Sequence, residues 1–338
     1  MTGVDRRTFL RRSAIAAGAV GAAAIFGERV LQERPAPERW DPSAFVPPGP
    51  ARVATIGATS YDNGLEDLVG EGLHAIGADV RGARVVLKPN LVEFDPGTTV
   101  NTDPRLVAAT VIALRRLGAV DVMVGEGPGH RRDTEYVVTR SGLRDALDAV
   151  DASFVDLNTD AVARVRLHSR YTRLGSLWLP RTISDADVVI SMPKMKTHHW
   201  AGLTLSLKNC FGCVPGRVYG WPKNALHWAG LEQAILDVAG AVRPDYAIVD
   251  GIVGMEGNGP ISGTPIASNL LVFGDDPVAT DTVAARLMGF DPEKVPYLAE
   301  AARFLGQGDM DEIHLEGEDL GASAKDFAVL PQFDPMKA

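Results

Sequence analysis

The hydrophobic pattern of the chain from residue 52 onward alternates between short apolar runs and longer amphipathic segments. Several of the short runs are rich in β-branched residues, which is typical of strands buried in a parallel sheet. We predict strands at seven such runs, at residues 53–56, 85–87, 120–124, 154–157, 188–190, 246–249 and 270–273.

The segments between these runs carry the signals with which helices begin. Asp103 and Pro104 supply an N-cap and a first helical position, and apolar residues then recur along one face. Asp276 and Pro277 open a second helix in the same way, and a third helix is predicted from about residue 226 to residue 242.

The order of these elements predicts the fold class. Strands that alternate with helices form an α/β fold, here a doubly wound, mainly parallel sheet with helices on both faces. Residues 162–183 break the alternation, because arginines and apolar residues take turns there on both sides of Gly175. We predict an inserted β-hairpin for this segment.

The N-terminus carries a targeting signal. Arg6 and Arg7 lie in a segment that matches the twin-arginine export motif, and an apolar run at residues 14–26 follows. Such a run is too short to span a bilayer comfortably but suits the core of a signal peptide. We therefore predict a signal peptide at residues 1–27, with an uncut membrane anchor as the alternative. The expected location is extracytoplasmic, in the periplasm or cell envelope, and the twin-arginine translocase is the expected export partner.

Composition divides the rest of the chain into three parts. Residues 28–50 are rich in proline and charge and are predicted to form a linker. Residues 51–310 carry the alternating pattern and form the predicted α/β domain, and residues 311–338 form the predicted C-terminal tail. The formal net charge of −9 argues against a nucleic-acid partner, which needs a basic face.

The distribution of lysine points to a binding site. Arginine outnumbers lysine 26 to 8, yet four lysines fall between Lys194 and Lys223. A lysine ammonium is a compact charge with a shiftable pKa, which suits the binding of anions and nucleophilic chemistry. The alternative is an ordinary basic loop.

Polar residues beside Gly or Pro follow five of the predicted strands, at residues 88–90, 125–129, 191–196, 250–259 and 274–277. If these strands are parallel, their carboxyl ends meet at one edge of the sheet, where ligands of open α/β sheets bind. The candidate residues are Lys88, Lys194 and His198 for catalysis, Asn90, Glu126, Lys196, Lys208 and Asn209 for ligand binding, and Asp250 and Asp275 for a divalent metal.

One histidine and the two cysteines are further candidates for chemistry. His198 is the candidate general acid–base, because imidazole titrates near neutral pH. Cys210 and Cys213 have the spacing of a redox dithiol or of half a zinc site, but two soft side chains buried in the core would have the same spacing. With only two cysteines, the chain has no self-contained iron–sulfur cluster.

The chain resembles a widespread prokaryotic family, domain-of-unknown-function family 362. The resemblance covers about residues 52–290 and rests on segments at 85–91, 102–104, 192–198, 207–209, 211–212, 215–216, 250–251 and 274–281. It implies an α/β fold and no established reaction. Many members of this family carry a bacterial-type ferredoxin module, and this chain lacks the cysteine run of that module.

These observations predict an exported enzyme that binds a small anionic molecule or cofactor in a lysine-rich crevice and performs proton-transfer or redox chemistry. One alternative is a non-catalytic envelope protein that captures a ligand or a metal. A second alternative is a thiol oxidoreductase that uses Cys210 and Cys213. A redox partner protein is expected if the chemistry is electron transfer.

Overall fold

The computed structural model describes residues 39–62, 64–129, 133–221 and 223–338. The predicted signal peptide and most of the predicted linker therefore lie outside the described residues. Contacts group Trp40–Ala338 as one unit. In the part of the chain that the structure describes, no helix combines the length and the apolar character needed to cross a membrane.

The strands and helices follow the predicted alternation. The strands are β1 (Ala51–Gly57), β2 (Arg84–Pro89), β3 (Asp121–Glu126), β4 (Phe154–Asp156), β5 (Val162–Arg166), β6 (Ser176–Pro180), β7 (Val188–Met192), β8 (Lys194–His198), β9 (Gly202–Thr204), β10 (Tyr246–Glu256), β11 (Thr264–Gly274) and β12 (Ile313–Gly317). The helices are α1 (Leu65–Ala75), α2 (Pro104–Arg116), α3 (Thr134–Arg140), α4 (Leu143–Asp148), α5 (Arg181–Ser184), α6 (Ser206–Asn209), α7 (Gly216–Tyr219), α8 (Asn224–Trp228), α9 (Leu231–Val242), α10 (Pro277–Leu287), α11 (Pro296–Ala301) and α12 (Leu320–Ser323).

The main sheet has the order β12-β1-β11-β10-β7-β2-β3-β4, with β8 paired to β10 and β9 paired to β8. Strands β10, β7, β2, β3 and β4 are mutually parallel. Apolar layers lie on both faces: Leu73 and Leu106 of α1 and α2 pack in one, and Ile235 and Val283 of α9 and α10 pack in the other. This confirms the predicted α/β class with helices on both faces.

The inserted hairpin is also confirmed, because β5 and β6 form a separate antiparallel pair. The two predicted N-caps are present as well. The Asp103 side chain accepts a hydrogen bond from Arg105 N, and the Asp276 side chain accepts from Val278 N and Ala279 N. Each aspartate thus satisfies backbone donors that a helix start would otherwise leave unpaired.

Two predicted elements differ in the structure. The third helix is interrupted between α8 and α9, because Gly230 has a φ of 99°, which is incompatible with a helix. Strand β11 runs antiparallel to both of its neighbours, β1 and β10. The residues that follow β11 therefore lie at the opposite edge of the sheet from those that follow the parallel strands.

The ends of the described chain pack against the domain more closely than a linker and a tail would. Strand β12, from the predicted tail, pairs in parallel with β1 and is the outermost strand on that side of the sheet. Within the predicted linker, the Trp40 ring stacks on Phe304 at a centroid distance of 5.0 Å, and Phe45 meets the same ring edge-on. The folded unit thus includes residues on both sides of the predicted 51–310 boundaries.

Candidate functional site

A cavity of about 530 Å³ lies beyond the carboxyl ends of β2 and β3, against β8, β9 and the segment from α6 to α8. This is the edge of the sheet at which the sequence predicts a site. The polar residues that line the cavity, among those the structure describes, are Lys88, Asn90, Glu126, Lys196, His198, His199, Thr204, Lys208, Asn209, Lys223 and His227.

Lys88 and Glu126 form a buried ion pair at the base of the cavity, each about 1% exposed. The Lys88 ammonium also donates to Asn209 Oδ1 at 2.8 Å and to the Pro89 carbonyl at 3.0 Å. An ammonium has three protons, so these acceptors use its whole donor capacity. Gly212 packs directly on the pair, where a side chain would collide with Glu126 and Lys88. Lys88 therefore holds the site together and has no free proton to offer a ligand.

Lys194 lies in a second buried network, outside the cavity lining. Its ammonium donates to Asp250 Oδ2 at 2.7 Å, to the Tyr61 hydroxyl at 3.0 Å and to the Val253 carbonyl at 3.0 Å. Asp250 in turn accepts from Tyr61 at 2.6 Å and from Asp103 N at 2.9 Å. The prediction that Lys194 acts in catalysis conflicts with this geometry, because all three protons of Lys194 are donated internally.

The structure does not bring the two predicted metal ligands together. Asp250 is occupied by Lys194 and Tyr61, while Asp275 follows the antiparallel strand β11 and pairs with Arg52 at 3.0 Å. The two carboxylates thus lie at opposite edges of the sheet, which conflicts with the predicted metal site. Among the residues that the structure describes, no three histidine, cysteine or carboxylate side chains group to hold a metal.

Lys208 is the cavity lysine with unused donors. Its ammonium lies 4.4 Å from the centroid of the Phe211 ring, and no oxygen of the described residues accepts a hydrogen bond from it. Burial, with a smaller contribution from the charge of Lys88, lowers the pKa of Lys208 to about 8. An anion at this position would supply both the missing acceptors and the missing counter-charge.

The amine of Lys196 uses only part of its hydrogen-bonding capacity within the protein. Its ammonium donates to the Val100 carbonyl at 2.8 Å and makes a long contact of 3.5 Å with the Pro260 carbonyl. Burial and then the charge of Lys208 lower the pKa of Lys196 well below its usual range. Because the 3.5 Å contact is too long for a good hydrogen bond, at least one N–H of Lys196 is left for a ligand even when the amine is neutral.

Lys223, the last of the four clustered lysines, lines the cavity as well, although the strand-end pattern does not include it. It donates to the carbonyls of Gly127, Phe211 and Gly212 at 2.6, 3.0 and 3.3 Å. Burial lowers the pKa of Lys223 to about 7. With three carbonyl acceptors, it joins the β3 loop to the turn that follows α6 and has no free donor for a ligand.

The tautomer of His198 follows from its backbone contacts. His198 Nδ1 accepts hydrogen bonds from Trp200 N at 3.0 Å and from Ala201 N at 3.2 Å. The neutral ring therefore carries its proton on Nε2. Burial and the charge of Lys208 lower the pKa of His198 well below its usual range, so the ring stays neutral. His198 is thus a hydrogen-bond donor to the cavity, which differs from the general acid–base role predicted from sequence.

His199 and His227 have the opposite tautomer. His199 Nδ1 lies 2.7 Å from the Gly259 carbonyl, and His227 Nδ1 lies 3.1 Å from the Lys223 carbonyl. A carbonyl accepts only from an N–H, so each neutral ring has its proton on Nδ1 and a lone pair on Nε2. Burial lowers the pKa of His227, which favours this neutral form. Both rings line the cavity and can accept a proton or a hydrogen bond.

Two buried polar atoms in the lining lack partners. Asn90 is 7% exposed and Thr204 is 3% exposed. Asn90 Oδ1 and Thr204 Oγ1 make no hydrogen bond within the described part of the chain. Buried polar atoms are normally satisfied, so these two are candidate contacts for a bound molecule.

The segment that carries Lys208 and Asn209 is fixed from outside the cavity. Asp281 of α10 accepts hydrogen bonds from Ser206 N at 2.7 Å and Leu207 N at 2.9 Å, the first residues of α6. This long-range cap orients α6 toward β2. Asp281 is visible in the sequence as an ionisable residue, but its pairing with a helix start 75 residues away is not.

The two cysteines are buried thiols at the back of the site. Cys210 and Cys213 are 1% and 0% exposed. Burial raises the pKa of Cys210 well above its usual range and raises that of Cys213 to about 12. Reactive cysteines need an exposed thiolate, and these side chains are neither exposed nor ionised at neutral pH. The geometry favours the interpretation of two soft, buried side chains.

Comparisons with known proteins agree on one family. The model of the family described as "Domain of unknown function (DUF362)" matches residues 85–286. A thylakoid-associated protein of Synechocystis sp. is 33% identical over 236 residues, which are 66% of this chain and 70% of that protein.

Two solved structures are also similar in part. The lactate racemase apoprotein from Thermoanaerobacterium thermosaccharolyticum is 14% identical with a TM-score of 0.45, over 70% of this chain and 57% of that one. A protein from Thermotoga maritima is 16% identical with a TM-score of 0.38, over 65% of this chain and 58% of that one. The chain thus spans less than two-thirds of either solved structure.

Proposed function

The chain belongs to the family described as domain of unknown function (DUF362), and we propose that it is an enzyme that binds an anionic molecule and moves a proton on it. The observation that carries the proposal is the unequal use of donors around the cavity. Lys208 has no oxygen acceptor among the described residues, and Lys196 and His198 each keep a proton for a ligand.

The charge balance of the lining supports an anion. Of the described residues that line the cavity, the lysines are Lys88, Lys196, Lys208 and Lys223, and the only carboxylate is Glu126. Glu126 is already neutralised by Lys88 and also accepts from the backbone of Gly127 at 2.8 Å. Lys208 is charged below about pH 8, and a bound anion would favour the charged forms of Lys196 and Lys223 as well, which strengthens its binding in a cavity with apolar walls.

The Nε2 lone pairs of His199 and His227 supply the proposed proton acceptors. In the proposed step, one of these nitrogens removes a proton from the carbon next to a bound carboxylate. The C–H bond breaks, an N–H bond forms, and the electron pair moves onto the carboxylate oxygens. Lys208 and the His198 Nε2–H stabilise the negative charge that develops on those oxygens.

Deuterium exchange tests this proposal directly. The protein is incubated in D2O with 2-hydroxy and 2-amino carboxylates, and loss of the C2 proton signal is followed by NMR. We expect exchange of the C2 proton with at least one of these two classes of carboxylate. The exchange rate should fall at least 100-fold in H199Q or H227Q. It should be retained in the control H314Q, which changes an exposed histidine. Binding of these carboxylates without any exchange would contradict the enzymatic part of the proposal.

Non-catalytic capture of an anion is the second candidate, since Lys208, Lys196 and His198 hold a ligand without any proton acceptor. It predicts that H199Q and H227Q bind the ligand as tightly as the unmodified chain and that neither has an activity to lose. Isothermal titration calorimetry on these variants, together with the exchange assay, separates the two functions.

Export remains part of the proposal and rests on the motif at Arg6 and Arg7. A protein that folds before export keeps the cavity and any bound molecule intact during translocation. Fractionation of a host that expresses the full chain tests this. We expect the protein in the envelope fraction and its retention in the cytoplasm when both arginines are changed to lysine.

A further inference from the structure

The cavity is larger than a small anion requires. Pockets of 300–1,000 Å³ bury drug-sized ligands, and this one holds about 530 Å³. A phosphate or a three-carbon carboxylate at Lys208 would leave most of that space to water. The cavity therefore has room for a larger ligand, whose remaining part would lie against walls that differ from the cationic base.

Those walls are aromatic. The His199 ring meets the Trp200 ring edge-on at a centroid distance of 4.6 Å, Trp200 meets His227 at 5.6 Å, and His227 meets Phe211 at 5.8 Å. The rings thus form a continuous series along one side of the cavity, which we call the aromatic wall (His199, Trp200, Phe211 and His227).

The wall begins at the proposed anion site and ends at the mouth. The Lys208 ammonium lies on the Phe211 ring at 4.4 Å, so an anion bound by Lys208 is adjacent to the first ring of the wall. Farther along the series Trp200 is 62% exposed, and Trp228, which also lines the cavity, is 83% exposed. Two large aromatic side chains exposed at the same cavity are the kind of apolar surface that marks a binding site.

We propose that the ligand is an aromatic anion, a planar ring system that carries a carboxylate or a phosphate. This inference rests on the anion-binding part of the proposed function and specifies its ligand class, and a ligand for the proton-transfer step carries its carboxylate on a C–H carbon attached to the ring. The anionic group binds at Lys208, Lys196 and the His198 Nε2–H. The ring system lies against the aromatic wall and is covered at the mouth by Trp200 and Trp228, which stack on it in offset or edge-to-face contacts.

The test uses ligands that differ only in aromaticity or charge. Dissociation constants are measured by calorimetry for 2-naphthoate, 2-naphthyl phosphate, decahydro-2-naphthoate, acetate, inorganic phosphate and the neutral 2-naphthalenemethanol. We expect one of the two naphthyl anions to bind at least about tenfold tighter than the saturated or small anion with the same charged group. The better of the two anions then identifies the charged group.

Single variants locate the ring contact. W200A and W228A are expected to weaken binding of the naphthyl anion about tenfold each and to change the affinity for acetate or phosphate less than twofold. W178A is the matched control, because Trp178 on β6 is 41% exposed and lies outside the cavity lining. W228F is expected to retain most of the affinity. Circular dichroism establishes that each variant is folded.

The possible failures are distinct. Equal affinity for 2-naphthoate and decahydro-2-naphthoate would overturn the aromatic class and leave the anion site intact. Equal affinity for 2-naphthalenemethanol and 2-naphthoate, or no binding of any anion, would overturn the proposed function itself. If W200A and W228A abolish binding to phosphatidylglycerol vesicles but leave the naphthyl affinities unchanged, the two rings contact a membrane and the inference is wrong.

Discussion

Lys88 and Lys208 line the same cavity in opposite hydrogen-bonding states. The Lys88 ammonium donates to Glu126, Asn209 and the Pro89 carbonyl, whereas the Lys208 ammonium lies over the Phe211 ring and makes no hydrogen bond with the described residues. The first lysine therefore stabilises the fold of the site, and the second is available to a ligand. This difference decides which substitutions should affect binding and which should affect stability.

Replacing Lys208 by Met should weaken binding of an anionic ligand about 10- to 100-fold, because a hydrogen bond to a charged group contributes about 1.5–3 kcal/mol. The melting temperature should stay the same or rise, since the change removes a partly desolvated cation that forms no ion pair with the described residues. Calorimetric titration and thermal unfolding measure the two effects. K325M removes an exposed lysine and serves as the control. Unchanged affinity in K208M would place the anion elsewhere.

Anion affinity should fall as the pH rises above about 8. Burial lowers the pKa of Lys208 to about 8 in the free protein, so the charged form dominates only below that pH. A bound anion favours the charged form and raises this pKa, and binding above pH 8 must therefore take up a proton. For a carboxylate ligand, we expect the charge on Lys208 to leave the affinity unchanged from pH 6 to 7 and to cause a fall of up to tenfold per unit between pH 8 and the pKa of Lys208 in the complex.

Titrations at several pH values, in buffers of different ionisation enthalpy, measure this proton uptake. K208R is the informative control, because a guanidinium stays charged throughout the range. The decline above pH 8 should disappear in that variant. A decline of the same size in K208R would assign the titration to another group, with Lys223 the first candidate since its pKa is lowered to about 7.

The sequence predicts the edge of the sheet at which the cavity lies but not which lining side chains have free hydrogen-bond donors. Strand ends place Lys88, Glu126 and Lys196 at that edge because parallel strands share a direction, which the apolar runs reveal. An apolar run does not reveal whether its strand is parallel or antiparallel to its neighbours. Because β11 is antiparallel, the strand-end pattern wrongly places Asp275 at the edge where the parallel strands end.

Hydrogen-bond saturation depends on tertiary contacts that sequence patterns do not contain. Lys194 and Lys196 are two residues apart on β8, and the alternation of side chains along a strand predicts that both lie on the same face. The pairing of β8 with β10 is irregular, since Lys194 lies opposite Asp250 but Lys196 lies opposite Met255. Only one of the two lysines therefore has a carboxylate partner, and only the other lines the cavity.

Replacing Lys194 by Met should destabilise the protein without affecting anion binding. The change leaves Asp250 fully buried without its ammonium partner, and breaking a buried ion pair in this way costs about 3–5 kcal/mol. Urea denaturation measures the loss. R116A is the control, because it breaks the exposed pair of Arg116 with Asp67 and should cost less than about 1 kcal/mol. A loss of binding in folded K194M would show that Lys194 contributes to the site.

The two thiols should be inert in the native protein. Cys210 and Cys213 are almost fully buried, and burial raises the pKa of each thiol, so neither supplies an accessible thiolate at pH 8. We expect no incorporation of iodoacetamide over the period in which the exposed control A324C is labelled once, and labelling of both cysteines in urea. Mass spectrometry counts the adducts. Rapid labelling of Cys210 in the native protein would instead support the thiol oxidoreductase function. Such labelling requires an ionised and accessible sulfur, which the present geometry does not provide.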